Sequence, residues 1–408
     1  MPTPAEFFAT WKHSLSSDFQ QDGVPAETNL WVTETAKIAM NGETRAAVLN
    51  DDGSLLATGA DHEVYVYDMA TLRLVRTFRG HAGYKIGGLE FQPAGRKIAA
   101  SLSGQIPQEK ETVTMVRVWD LDGPPEPPSD HLDDAANAAM TAASLPLLRH
   151  WSVDDLESVD LKTEIAELIA SGQAAVDVRS GRVLLGQLPS FGSRAFSPDG
   201  RSLLYFPDRH NVAVLDVDTF TVRFHLSGHT DAVMWAETSP NNKVVATSSW
   251  DKTVRIWSMD SGEVIHILEG ATIQSWGGAF SPDGRLIAAG AGDKMVRIWR
   301  VDTGELLHTL SGFSRWIRSL SFSPDSLHLA AGAAGGTLRV FEVGSGACKQ
   351  VWQIDISTHR FARSYSEISD VQYTRRGDLF FRSTEGRIFG YRARDNSKWE
   401  YAGESYPY

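Results

Sequence analysis

Asp231 to Gly270 reads DAVMWAETSPNNKVVATSSWDKTVRIWSMDSGEVIHILEG, and its layout decides the fold. Four short runs rich in β-branched and aromatic residues follow one another. They are Ala232-Val233-Met234-Trp235, Val244-Val245-Ala246-Thr247, Thr253-Val254-Arg255-Ile256-Trp257 and Val264-Ile265-His266-Ile267-Leu268. Pro240-Asn241-Asn242, Trp250-Asp251-Lys252 and Asp260-Ser261-Gly262 separate them. Such runs between such turns read as strands, because Pro, Asn, Asp and Gly supply the backbone angles that a reversal needs. The loops are too short for crossover helices, so the four strands form an antiparallel meander.

The unit repeats. Ser197-Pro198-Asp199-Gly200 is echoed by Ser239-Pro240-Asn241-Asn242, Ser281-Pro282-Asp283-Gly284 and Ser323-Pro324-Asp325-Ser326, each 42 residues on from the last. A second ladder keeps the same step through Leu215, Trp257, Trp299 and Phe341. Two markers locked at one spacing mean one supersecondary unit used many times, and a four-stranded meander repeated radially is a propeller blade.

On these residues the sequence resembles the WD-repeat family over most of 44–395. Gly80-His81 and Gly228-His229 match the family's Gly-His pair, and Trp119-Asp120 matches its Trp-Asp pair. Tyr67-Asp68, Trp257-Ser258 and Trp299-Arg300 are variants, and Asp61, Asp251 and Asp293 stand where the family places its turn aspartate. The resemblance implies a buried relay of His, a strand Ser or Thr, Asp and Trp. The unit with His229, Thr247 or Ser249, Asp251 and Trp257 keeps the whole set; His81, Asp61, Asp293 and Trp299 belong to less complete ones. Ala271 and Phe313 replace the His and Gly335 replaces the Asp elsewhere, so those units are expected to depend more on packing. The expected fold is all-β, a seven-bladed propeller with blades at about 44–81, 82–192, 193–230, 231–271, 272–312, 313–355 and 356–408.

Two stretches break the beat. Pro124-Pro125-Glu126-Pro127-Pro128 opens a segment with a helix signature: Ser152 as cap, Asp154 and Asp155 in the first turn, apolar positions from Leu156 to Ile169, and Gly172 as stop. Residues 123–180 are therefore expected as a mostly helical insertion between the third and fourth strands of the second blade. The alternative is an eighth blade with a short insertion, and composition speaks against it. Ser101 to Thr112 reads as an enlarged loop of the same blade. Residues 1–43 form an N-terminal segment, and a strand near Leu30–Met40 is expected to complete the last blade, because a ring joined by both chain ends leaves no free sheet edge.

Composition limits the function. Net charge is -12 over 408 residues, so neither nucleic acid nor an anionic membrane is an expected partner. Cys348 is the only cysteine, which excludes an intrachain disulfide and suits a reducing compartment. No apolar run long enough to span a bilayer occurs and no apolar run follows a basic start, so cytoplasm or nucleus is the expected location. No Walker loop, His-Glu-x-x-His, paired Cys-x-x-Cys or nucleophile elbow is present, so no catalytic residue, cofactor or metal ligand is assigned.

What remains is a rim. Aligning the repeats places Trp250 in a turn before a third strand, and Lys85, Gln274, Trp276, Trp316 and Arg318 at the starts of first strands. Tyr84 and Glu367 lie beside that circle. Three tryptophans with an arginine are the residue types that dominate interface energetics, since they bury much area at small entropic cost. The expected function is a non-catalytic scaffold that binds a protein or peptide there. The alternatives are a small-molecule site or metal-free enzyme at the channel mouth, or tryptophans tucked between blades.

Overall fold

The computed structural model describes residues 44–79, 85–105, 112–123, 175–178, 181–189, 192–353, 367–384, 388–392 and 397–401. Every regular element among them is a strand. The strands form seven antiparallel sheets, held in two compact units. Thr35–Pro189 with Arg194–Ser227 carries three sheets, and Gly228–Tyr408 carries four.

The 42-residue beat becomes sheet after sheet. The fourth sheet is Val233–Thr238, Val244–Ser249, Val254–Ser258 and Val264–Leu268, hydrogen-bonded in chain order. The fifth repeats it with Ser275–Phe280, Leu286–Ala291, Val296–Arg300 and Leu306–Leu310. The sixth follows with Ile317–Phe322, His328–Ala333, Thr337–Glu342 and Cys348–Gln353. Burial falls from inside outward. Val244–Ser249 is buried at every position, whereas Val264, Ile265 and Ile267 of the outermost strand are exposed.

Sheets within a unit pack through one recurring contact. Gly59, Gly290 and Gly332 sit in second strands, and a Cβ there would meet Ile86, Ile317 or Ile368 of the next sheet's first strand at 2.5–2.7 Å. Those isoleucines are 0–1% exposed. Missing side chains on one sheet thus admit branched ones from its neighbour, the close interdigitation that makes a core dense. In the fourth sheet Ser248 holds the glycine's place and Ser275 the isoleucine's, and there the contact turns polar: the Ser248 hydroxyl donates to the Trp276 carbonyl at 2.7 Å.

The Ser-Pro-Asp turns fix each hairpin between first and second strands. The Ser281 hydroxyl donates to Asp283 at 2.5 Å and accepts the Leu286 N–H at 2.9 Å; Ser323, Asp325 and His328 repeat this at 2.5 and 2.9 Å. The fourth turn residue takes a left-handed backbone, with φ +71 at Gly200 and Gly284, +58 at Asn242 and +62 at Ser326. Asn50 performs the same office in the first sheet, its side-chain oxygen accepting the Leu55 N–H at 2.9 Å.

Several expectations are corrected. Lys97–Gln105 and Thr112–Asp120 are nine-residue strands paired to the end, so Ser101 to Gln105 is strand rather than loop, and only 106–111 falls outside the described residues. Ser397–Tyr401 supplies the fourth strand of the seventh sheet, a place expected for Leu30–Met40, which lies outside the described residues along with the whole N-terminal segment. The second sheet has five strands, because Ala175–Val178 adds to Gly181–Leu185 as an antiparallel hairpin. The helix expected over 152–172 also lies outside the described residues.

The third sheet has three regular strands, and Ala195 and Phe196 run beside its first with a single bridge. Their N–H groups donate instead to Glu90 of the second sheet, at 2.7 and 3.1 Å. Burial pushes the Glu90 carboxyl up to about 7, against the opposing pull of those two N–H groups and of Arg194 and with a smaller push from Asp51. A carboxyl that holds its proton better folded than unfolded contributes stability below its ordinary value of 4.5, and loses that contribution as pH rises to about 7. The denaturant midpoint of the protein should therefore fall between about pH 5 and about pH 8, and fall less in Glu90→Gln. Identical pH profiles for the two proteins would show that Glu90 does not titrate in this range.

Candidate functional site

The turn between second and third strands carries the most organised polar chemistry. In the fourth sheet His229 Nδ1 lies 2.7 Å from Asp251 Oδ2, and His229 Nε2 lies 2.7 Å from Thr247 Oγ1. Trp257 Nε1 donates to the same Thr247 oxygen at 2.9 Å. Burial holds the His229 imidazole below its ordinary value, against the pull of Asp251. A neutral ring then satisfies every partner in one way: Nδ1–H donates to Asp251, and Thr247 donates to Nε2 while accepting from the indole. Thr247 is 0% exposed and Trp257 2%. Thr253 also donates to Asp251, through its hydroxyl at 2.7 Å.

An arginine recurs in the third strands, both in the sheet that keeps the histidine and in sheets that lack it. Arg117, Arg255, Arg297 and Arg339 each stand two residues before a Trp or Phe of the marker ladder. In the fifth sheet, where Ala271 stands for the histidine, Arg297 donates to Asp293 at 2.7 and 3.2 Å. Both side chains are only 8% exposed. Burial pushes the Asp293 carboxyl up, but Arg297 and the Thr272 and Met295 N–H groups outweigh it and hold it below the ordinary range. In the sixth sheet Asp gives way to Gly335 and His to Phe313; Arg339 lies over the Phe313 ring at 5.5 Å and donates to the Gly312 carbonyl at 2.7 Å. The fifth sheet thus adds a buried ion pair to the packing on which it was expected to depend more. Trp299 is buried there at 4%. Asp61 is exposed in a two-residue turn with φ +50, and His81 lies outside the described residues.

Outside this buried layer lie the rim residues. Trp250 and Trp276 meet edge to face, with centroids 5.4 Å apart at 64°. Both are half-buried, as are Gln274 and Trp316, so none of the three tryptophans is sealed from solvent. Main-chain atoms of all four are hydrogen-bonded, and for Trp276 the donor is the Ser248 hydroxyl. Trp250 N–H donates to Ala232 at 2.8 Å, Gly292 N–H to the Gln274 carbonyl at 2.8 Å, and Ala334 N–H to the Trp316 carbonyl at 3.0 Å. Arg318 donates to Glu367 at 2.8 Å, so these two rim residues hold each other. Lys85 is exposed at the start of its strand, in the other unit, and Tyr84 lies outside the described residues. Among the described residues no cluster of His, Cys, Asp and Glu could hold a metal ion, and no helix is long and apolar enough to cross a membrane.

The family model described as WD domain, G-beta repeat matches residues 220–258, 262–300 and 304–342. The chain carries WD repeats. Each match begins in the turn just before an outermost strand and ends with the third strand of the next sheet, so a WD repeat covalently ties neighbouring sheets, as 262–300 does within the second unit. This WD-repeat chain is 24% identical over 226 residues to "Transcriptional corepressor LEUNIG_HOMOLOG" of Arabidopsis thaliana, covering 54% of the chain and 25% of that protein. It is 23% identical over 261 residues to "Retinoblastoma-binding-like protein E" of Dictyostelium discoideum, covering 60% and 48%. Over 90 residues it is 30% identical to "Autophagy-related protein 16" of Arabidopsis thaliana, covering 21% and 18%. The matches thus span half or less of each relative's length.

Two stability outcomes follow. His229→Ala should lower unfolding free energy by about 1–4 kcal/mol, through lost buried hydrogen bonds and packing; an unchanged thermal midpoint would remove the relay from the list of stabilising contacts. Arg297→Met strands the Asp293 carboxylate and should cost about 3–5 kcal/mol, most of it regained in Asp293→Asn/Arg297→Met. A double variant no more stable than the single one would show that the two charges are not coupled.

Proposed function

We propose that this chain is a non-catalytic scaffold whose sheets are the blades of a seven-bladed WD-repeat propeller, and which binds a protein or peptide at the loop rim of its channel. The observation that carries the reading is the half-buried Trp250–Trp276 edge-to-face pair, one ring on a turn and the other near the start of a strand, with Trp316 half-buried just before the first strand of the next sheet. Large aromatics kept partly in water on a rigid frame are what an interface anchor requires, because little freedom remains to be lost when a partner covers them. Arg318 with Glu367 forms a fixed polar edge to the same surface.

On this reading the part of 123–180 that precedes the strand Ala175–Val178 is a mostly helical insertion of the second blade. The names of the relatives, a corepressor and a binding-like protein, agree with a role in protein interaction. A cytoplasmic or nuclear location fits the single cysteine and the net charge of -12.

The test is capture of partners from a lysate by the full chain and by Trp276→Ala/Trp316→Ala. The variant should keep the sheet signature in circular dichroism while losing about tenfold or more of partner affinity. Undiminished capture by a folded variant would move the binding surface elsewhere.

A further inference from the structure

The same turns that hold the rim also sort its charges. Asp251 and Asp293 point inward and are spent within the fold, Asp251 on His229 and Thr253, Asp293 on the Arg297 fork. The residue after each is a lysine in left-handed conformation, Lys252 at φ +75 and Lys294 at φ +68. Both lysines are exposed, and neither has an ion-pair partner among the described residues. Arg315 is exposed as well, at the position in the sixth sheet that corresponds to Ile273 in the fifth. Ile273 itself is 45% exposed, packed over Gly292 beside the turn that carries Lys294. Half-buried Asp231, at that same position in the fourth sheet, is the exception, and its carboxylate accepts the Ala232 N–H at 2.7 Å.

The outcome is a local excess of cations around exposed apolar surface, on a chain whose net charge is -12. An acidic partner is repelled by the whole chain at long range, but at physiological salt that repulsion is screened beyond about 8 Å, so the nearest charges decide. A basic partner would meet lysines at contact.

We propose that the partner seated on this rim is an acidic peptide segment carrying an aromatic or aliphatic anchor side chain. The anchor packs on Trp250, Trp276 and Ile273, while its carboxylates face Lys252, Lys294 and Arg315. The inference rests on the rim reading above and adds the chemistry of the occupant. A few cations at the turns of one unit suit a short acidic peptide; an extended phosphate backbone needs a continuous basic track.

The experiment is selection of a random dodecapeptide display library on the full-length protein, on Lys252→Asn/Lys294→Asn, and on Trp276→Ala. Asparagine tolerates the left-handed backbone at both turns, so the first variant removes charge with little strain. Enriched peptides should be net acidic with one large apolar residue. A synthetic copy of the best should bind by fluorescence anisotropy, about tenfold more weakly to Lys252→Asn/Lys294→Asn, with affinity falling as salt rises. Enrichment of neutral or basic peptides that depends on Trp276 overturns the charge assignment and leaves the rim reading standing. Enrichment that ignores both variants, or a single-stranded oligothymidine binding more tightly than any peptide, overturns both.

Discussion

Everything in this molecule depends on the contact by which one small sheet covers the next. A four-stranded meander of about 35 residues has two faces and no interior, so alone it would leave both in water. Here glycines at 59, 290 and 332 open a slot in each second strand, and Ile86, Ile317 and Ile368 fill it from the following sheet. The slot is narrow enough that a single added Cβ would collide with the isoleucine. The deep burial of the second strands, complete in Val244–Ser249 and broken only at the first residue in Leu286–Ala291 and His328–Ala333, follows from being covered on both sides.

A second constraint concerns polar groups brought into that interior. The turn aspartate is pulled below the surface and must be partnered there, since a stranded buried carboxylate costs several kcal/mol. The fourth sheet answers with a histidine, threonine and tryptophan relay, and the fifth with an arginine fork. The sixth dispenses with the acid altogether and lays Arg339 over an aromatic ring. These are three chemical solutions to one geometric problem, and they explain how the repeats drift in sequence while holding the same hairpin. Spending the acids inward is also what leaves the outward end of the turns positive.

The half-buried tryptophans follow from the same geometry. Trp250 in its turn, Trp276 near the start of its strand and Trp316 just before the next are held through main-chain atoms and stay half-buried. Core tryptophans do their work elsewhere: Trp119 is 1% exposed and stacks on Phe78 at 5.5 Å, and Trp235 is 0% exposed against Gly278. One residue type thus stands in two settings, sealed in the core within strands and half-buried at turns and strand starts.

The sequence by itself determined the repeat, its 42-residue step, the strand order within the fourth, fifth and sixth sheets and the relay of His229, Asp251 and Trp257, because turn chemistry and alternation are local properties of the chain. The arginine ladder at 255, 297 and 339 and the Asn50 turn were legible on the same spacing but carried no family signature to draw the eye. Only the tertiary structure decided that Arg297 replaces a histidine, that Arg318 and Glu367 spend their charges on each other, that Glu90 reaches across to the Ala195 and Phe196 N–H groups, and that Ser397–Tyr401 completes the last sheet. The Arg318 and Glu90 contacts join residues of different sheets and depend on how the sheets face one another, which no local pattern encodes; the Arg297 fork and the last hairpin are local in the chain, but burial and strand pairing had to select them.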